Sequence, residues 1–358
     1  MDHALRRARA AAALPGLELD ALLVTHLPNV RYLTGFSGSS AELLLGREAA
    51  VLLIDGRYAA QAARESPALE RRTCLDGYVP AAAETAAALG DRIGFEREAL
   101  SFARWERLRE AAVGLELVPT SGLVEALREV KDEDERALIA AGQGAADAAF
   151  DEVVLGGGLR AGVREQDVGL ALEVAMRRAG ADAPGFEPIV GFGENAAEPH
   201  HRPGARELRR GDLVTTDFGA AVGGYRSDMT RTVAFGEPGR RLRDVYALVA
   251  SAQAAGVEAV RDGVVAGDVD SAARRVIADA GLADAFPHPV GHAVGLEIHE
   301  SPILRSTCRT VLRAGAVVTV EPGVYLPGVA GVRIEDMVEV TPEGPHVIPR
   351  TSKELIVL

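Results

Sequence analysis

Two aspartates that lie eleven residues apart, Asp217 and Asp228, bracket the run Asp-Phe-Gly-Ala-Ala-Val-Gly-Gly-Tyr-Arg-Ser-Asp. β-Branched residues flank the Gly223-Gly224 pair, which predicts a hairpin with one strand from Leu213 and the other from Thr230. Folding it between Val222 and Gly223 sets the two acids opposite each other. Like charges across a strand pair repel, so the pair needs a cation between them unless that face of the hairpin is wet. Three more ligand-type residues follow. His292 sits in Gly-His-Ala-Val-Gly-Leu-Glu-Ile-His-Glu, Glu321 in Val-Glu-Pro-Gly-Val-Tyr, and Glu335 in Val-Arg-Ile-Glu-Asp. Glu321 and Glu335 flank a second predicted hairpin centred near Gly328 and come out roughly opposite, with Arg333 on the face of Glu335. Glu321 also interrupts the apolar run 317–320, where an acid is rarely left unpaired. Four carboxylates and one imidazole form an oxygen-rich set that suits divalent ions, Mn²⁺ first, with Co²⁺, Fe²⁺ or Zn²⁺ as alternatives. Four negative charges balance two such ions. Two-metal hydrolases hold their ions about 3.5–4 Å apart and acidify a water between them.

These motifs, in this order, resemble the creatinase/prolidase/aminopeptidase P family of "pita-bread" metallopeptidases, and the resemblance extends over nearly the whole chain. Asn-Val-Arg-Tyr-Leu-Thr-Gly-Phe-Ser-Gly and Leu-Leu-Ile-Asp-Gly-Arg-Tyr resemble the family's N-terminal domain. The resemblance implies a metal set of Asp217, Asp228, His292, Glu321 and Glu335, with Asp228 and Glu335 bridging two divalent ions. Asp217 would hold one ion, and His292 with Glu321 the other. It also implies that His200 holds the substrate and its leaving nitrogen, that His299 meets the carbonyl oxygen, that Arg333 stands beside the site and that Glu321 shuttles a proton. His201 is expected to face solvent, His288 is given no role, and Phe192 and Tyr225 are the candidates for an apolar proline pocket. Ala293 stands where many members have glycine.

The implied reaction is hydrolysis of the bond before proline, an amide with no N–H for an ordinary protease to read. Prolidases of the family carry an arginine in a His-Glu-Trp-Pro-Arg-like run, where this chain has His299-Glu-Ser-Pro-Ile303. The expectation is therefore a Xaa-Pro aminopeptidase acting on peptides with proline at the second position, with a Xaa-Pro dipeptidase (prolidase) as the alternative. A non-catalytic pita-bread binding module is a third reading. The resemblance further implies a homodimer or homotetramer.

The elements that must position these residues follow from the rest of the chain. A length of 358 residues predicts two domains. Strands and helices alternate through residues 1–120, an α/β unit. A helical stretch from Ser121 towards Leu155 contains the charge-dense run Lys131-Asp-Glu-Asp-Glu-Arg, read as a solvated linker over 121–135. Residues 136–358 then form the catalytic domain, giving an α+β protein. Residues 28–40 read as a Gly- and Ser-rich loop. Further helices are expected over 166–179, 242–261 and 269–280, with strand and loop from Pro287 onward. The net charge of −13 argues against nucleic-acid binding, and no apolar run approaches a membrane span. Cys74 and Cys308 form no metal motif, and two thiols in such a chain point to a reducing cytoplasm.

Overall fold

Six strands in the first 120 residues, apolar at the centre and polar at one edge, pair into a single sheet in the computed structural model, which describes residues 1–358. They are β1 (Ala21–Val24), β2 (Ala41–Gly46), β3 (Ala50–Ile54), β4 (Glu70–Thr73), β5 (Arg92–Glu96) and β6 (Glu116–Thr120), in the order β4-β3-β2-β1-β5-β6. β1 pairs antiparallel with β2 and parallel with β5, so the sheet is mixed. Helices α1 (His3–Ala13), α2 (Leu27–Thr34), α3 (Ala59–Glu65), α4 (Tyr78–Leu89), α5 (Phe102–Ala111) and α6 (Leu123–Arg128) complete the unit. One core packs Leu23, Leu44, Leu53 and Phe95 of the sheet against Ala82, Ala86 and Leu108 of α4 and α5. α2 occupies the start of the stretch read as loop. A carboxylate remote in sequence holds its approach: Glu96, at the end of the neighbouring strand β5, accepts from the backbone N–H groups of Thr25 and His26, each at 2.7 Å. A helix start held by a residue 70 positions later leaves no local signature.

The chain divides into its two compact units between Arg128 and Glu129. The helical stretch from Ser121 is broken there: α6 ends at Arg128, and α7 (Glu133–Ala149) begins with a capping box between Asp132 and Glu135. The charge run is not a solvated face throughout. Lys131 and Glu135 are 1% and 2% exposed, Lys131 Nζ lies 3.2 Å from Glu300 Oε2, and Glu135 Oε1 accepts from the Tyr225 hydroxyl at 2.8 Å. Lys131, just ahead of the helix, and Glu135, in its first turn, both face inward, while the three residues between them face water.

In the second unit, two helices and then a hairpin occur twice. α7 and α8 (Glu165–Arg178) precede β7 (Ala183–Pro184), β8 (Ile189–Phe192), β9 (Leu213–Phe218), β10 (Ala220–Val222), β11 (Tyr225–Arg226) and β12 (Met229–Ala234). α9 (Arg240–Ala259) and α10 (Ala266–Asp279) precede β13 (Gly291–Ala293), β14 (Glu300–Leu304), β15 (Val317–Val320), β16 (Gly323–Leu326), β17 (Ala330–Arg333), β18 (Asp336–Thr341) and β19 (Gly344–Val347). β8, β9 and β12 form one sheet, and β14-β13-β15-β18-β19 another. Ala146, Phe150, Leu172 and Met176 pack beneath β9 and β12, on Val214, Phe218 and Val233. Val249, Ala252, Val269, Ala273 and Ile277 pack beneath the larger sheet, on Ala293, Val318, Val320 and Val338. Each fully buried Val, Leu, Ile, Phe or Met side chain among these contributes about 1.5–3 kcal/mol. One face of each central strand is thereby committed to core, and the opposite face is left to carry chemistry. No helix is long and apolar enough to cross a membrane.

Candidate metal centre and active site

The first hairpin carries its acids in a register two residues different from the simple midpoint fold. Val222 pairs with Tyr225 and Asp217 pairs with Thr230, so the turn centres on the Gly223-Gly224 bond. Asp228 is therefore diagonal to Asp217 and still on the same face. The strand breaks between Phe218 and Ala220, where the backbone closes on itself: a Cβ on Gly219 would lie 1.8 Å from the Ser227 carbonyl oxygen. Glycine is the residue that permits this approach. In the second hairpin, Val320 pairs with Asp336 and Gly323 with Arg333. One register runs through both pairs, and Glu321 and Glu335 occupy the gap between them at equivalent positions.

His292 lies mid-strand in β13, where a bulge follows it. Its backbone N–H donates to Thr319 Oγ1 at 3.0 Å, and that hydroxyl donates to Glu321 Oε1 at 3.2 Å. Gly291 allows β13 to approach β15, because a Cβ there would sit 2.0 Å from the Thr319 carbonyl oxygen. His292 Nδ1 lies 3.1 Å from the Ala293 carbonyl oxygen, which accepts only from a protonated Nδ1. Nε2 is thus turned towards the acids, 3.4 Å from Glu321 Oε1 and 3.6 Å from Asp228 Oδ2. Metal-binding histidines are oriented in this way. The methyl group of Ala293 points into the apolar core, away from the acids.

All eight expected site residues, Asp217, Asp228, His292, Glu321, Glu335, His200, His299 and Arg333, line one cavity of about 280 Å³. Donor atoms of Asp228, His292 and Glu335 lie within 4.8 Å of one another. Arg333 Nη2 donates to Asp217 Oδ2 at 2.7 Å and Thr230 Oγ1 donates to Glu335 Oε2 at 2.7 Å. That leaves Asp217 Oδ1 and Glu335 Oε1 buried without a hydrogen-bond partner. Burial, compounded by neighbouring carboxylates, pushes the carboxyl groups of Asp228 and Glu335 well above the usual range and raises that of Asp217 despite Arg333. Glu321 goes the other way: burial opposes its charge, but the hydrogen bond from His292 and the nearby cations outweigh it and bring it to about 2. A buried cluster of acids with two orphaned oxygens, joined by an imidazole whose Nε2 proton a metal would displace, fits divalent cations, which would remove the repulsion and engage both oxygens.

Several residues enter the site that sequence reasoning passed over. His288 lines the cavity, and its Nε2 lies 2.8 Å from the Tyr325 hydroxyl. Arg333 Nη1 donates to the same hydroxyl at 2.8 Å. Tyr325 must then donate its proton to His288 Nε2, and His288 Nδ1–H donates to the Pro289 carbonyl at 2.8 Å. Burial favours neutral forms of both, lowering His288 and raising Tyr325 to about 12. Phe192 and Tyr225 do not form the apolar pocket. Phe192 is fully buried beneath the hairpin and Tyr225 is tied to Glu135. Phe186, Ile189, Pro199, Pro289, Ile298 and Ile303 supply the apolar walls instead. His201 does not face solvent: its Nε2 lies 2.9 Å from the buried Glu165 carboxylate and its Nδ1 3.0 Å from Glu198. Only Tyr325 had a local signal, its place in the Glu-Pro-Gly-Val-Tyr run. The others depend on partners dozens of residues away.

Two hairpins presenting four acids, with a histidine from the neighbouring strand β13 turned towards them, form a site of the kind metallopeptidases use. The model of metallopeptidase family M24 matches residues 137–342, and that of the creatinase/prolidase N-terminal domain matches residues 6–130. The chain belongs to metallopeptidase family M24 and has its pita-bread catalytic fold, preceded by a creatinase-type α/β domain. It is 34% identical over 344 residues to a Xaa-Pro dipeptidase of Pyrococcus horikoshii, covering 94% of this chain and 95% of that one. The Xaa-Pro dipeptidase from Bacillus anthracis superposes with a TM-score of 0.96 at 37% identity, covering 100% of both chains. The X-Pro aminopeptidase from Thermotoga maritima superposes at 0.88 with 32% identity, covering 95% of this chain and 98% of the other.

Proposed function

We propose that the protein is a Xaa-Pro dipeptidase that works with two divalent ions, Mn²⁺ foremost, held by Asp217, Asp228, His292, Glu321 and Glu335. The convergence of these five side chains and three further polar residues on one cavity carries this reading. The dipeptidase assignment rests on the relatives of that name that match nearly end to end. When bound, the ions supply Lewis-acid polarisation of the scissile carbonyl and lower the pKa of water. Glu321, held ionised beside His292, takes the proton of the attacking water. His299, kept neutral because burial disfavours its charged form, donates to the carbonyl oxygen as that oxygen gains charge. His200 delivers a proton to the departing proline nitrogen. Arg333, bonded to Asp217, Thr230, Tyr325 and the Pro199 carbonyl, fixes the acid and the cavity wall together. The apolar walls suit a pyrrolidine ring.

The expectation of an aminopeptidase is now the second reading, and one observation favours it. Ile303 lines the cavity, and Arg333, the arginine that reaches it, is already engaged, so a dipeptide carboxylate would meet imidazoles rather than a free guanidinium. Hydrolysis of Ala-Pro against Ala-Pro-Ala by the Mn²⁺-loaded protein distinguishes the two. A dipeptidase cleaves the first and spares the second; preference for the tripeptide restores the aminopeptidase reading, and cleavage of neither ends both. We further propose a cytoplasmic location, from two cysteines that form no disulfide, and a homodimer or homotetramer, to be read by sedimentation.

A further inference from the structure

The loop between β8 and β9 carries His200, and a single carboxylate fastens it. Glu165 opens α8, where the positive end of the helix favours an acid. Its side chain is fully buried and each oxygen is used twice. Oε1 accepts from the Phe192 N–H and from Asn195 Nδ2, both at 2.9 Å. Oε2 accepts from the Gly204 N–H at 3.1 Å and lies 2.9 Å from His201 Nε2. A carboxylate offers about four acceptor sites, and here the loop takes all of them. The four contacts begin where β8 ends and finish beyond His200.

His201 joins two acids. Nε2 faces Glu165 and Nδ1 faces Glu198 Oε2 at 3.0 Å. A neutral imidazole donates from one nitrogen only, so both contacts are satisfied by the imidazolium. Burial opposes that charge, and the two carboxylates outweigh it, raising the histidine above its ordinary value. On the other side of His200, the Pro199 carbonyl accepts from Arg333 Nη1 at 3.2 Å. Both neighbours of His200 are therefore anchored, one to the arginine of the site and one to Glu165, and only the His200 side-chain torsions remain free.

We propose that Glu165 and His201 are positioning residues that aim the His200 imidazole into the cavity, His201 acting as a charged bridge between Glu165 and Glu198. The inference rests on the reading of His200 as a group that meets the proline peptide. Neither residue touches the cavity, so their effect on turnover must pass through His200.

The test is a double-mutant cycle with His201→Ala, His200→Ala and both, on the Mn²⁺-loaded full chain with whichever of Ala-Pro or Ala-Pro-Ala is the better substrate. Misplacement of a reacting group by about 1 Å can cost about 100-fold. His201→Ala is expected to lower kcat by about 10- to 100-fold with KM little changed, and to have no further effect in the H200A background. His201→Gln, which keeps one donor, recovers part of the loss. In parallel, the His200 ring resonance is followed by NMR in the metal-free protein, where it should shift in H201A and return towards its original position in H201Q. Glu165→Gln is the companion variant, expected to shift the same resonance. An equal loss from H201A in both backgrounds, or an unmoved His200 resonance, overturns the proposal. An enzyme that cuts no proline peptide would sink the proposed function, while the resonance would still decide this inference.

Discussion

Removing divalent ions should expose the electrostatic conflict at the site as a pH-dependent loss of stability. Without metal, Asp228 and Glu335 hold protons in the fold at pH values where the unfolded chain has released them, because burial and neighbouring acids raise both. Stability from a raised carboxyl is complete below the unfolded pKa of about 4 and is lost as pH climbs towards the folded value. Each extra proton bound by the fold costs about 1.4 kcal/mol per pH unit in that window. At about 2–4 °C per kcal/mol, one such proton lowers Tm by roughly 3–6 °C per pH unit, and two protons by twice that. Loaded protein should behave differently, since cations replace the protons. Saturation at about 100 times Kd adds about 2.7 kcal/mol. The assay is thermal melting from about pH 5 to pH 8, with chelator-treated and Mn²⁺-loaded samples side by side. The metal-free curve should fall with pH while the loaded curve stays nearly flat, so that the gap widens at alkaline pH. Parallel curves would show that the acids are not in conflict, and the argument for paired cations would fail with them.

Three other outcomes follow from contacts described above. Glu335→Gln keeps the shape of the side chain and removes a charge next to Asp228; titration calorimetry should show fewer ions bound and activity reduced by more than about 100-fold, beyond the 10- to 100-fold cost of disturbing an outer ligand contact. Tyr325→Phe leaves Arg333 Nη1 and His288 Nε2 each short of a buried partner, so urea denaturation should show a loss of about 1–3 kcal/mol. Ile303→Arg puts a guanidinium on the cavity wall, and a charged hydrogen bond to a dipeptide carboxylate should raise the kcat/KM ratio of Ala-Pro over Ala-Pro-Ala by about 10- to 100-fold. An unchanged ratio would place the carboxylate elsewhere.

The gathering of the acids on one face was legible in the sequence because strands alternate with a period of two. Asp217 and Asp228, like Glu321 and Glu335, fall on one face whichever nearby turn centre is chosen, provided the shift is even. The register error at Gly223-Gly224 was of that kind, and so it left the shared face intact. Residues whose place depends on long-range closure were not legible. Glu96 holds the start of α2 from a position 70 residues later in the chain, and His201 is turned inward by Glu165, a residue 36 positions earlier. Lys131 was hidden by composition: in a run of charges nothing local distinguishes the one that ends up buried beside Glu300. The proline pocket was misjudged because Phe192 lies on the core side of β8, while Ile189 belongs to the cavity side. Spacing by three residues reverses a strand's face.

The second hairpin separates chemistry from length. Its acids sit in the gap between two ribbons of common register, and its tip, from Pro327 to Val329, lies beyond the last paired residues Leu326 and Ala330. Residues added at that tip would extend the ribbon and leave both glutamates in place, whereas one residue added in either arm would rotate a carboxylate onto the core side. A finger at residues 327–329 could thus grow without moving either glutamate, and an engineer could graft a new segment there, while an insertion between Glu321 and Gly323 would break the register that pairs the two acids.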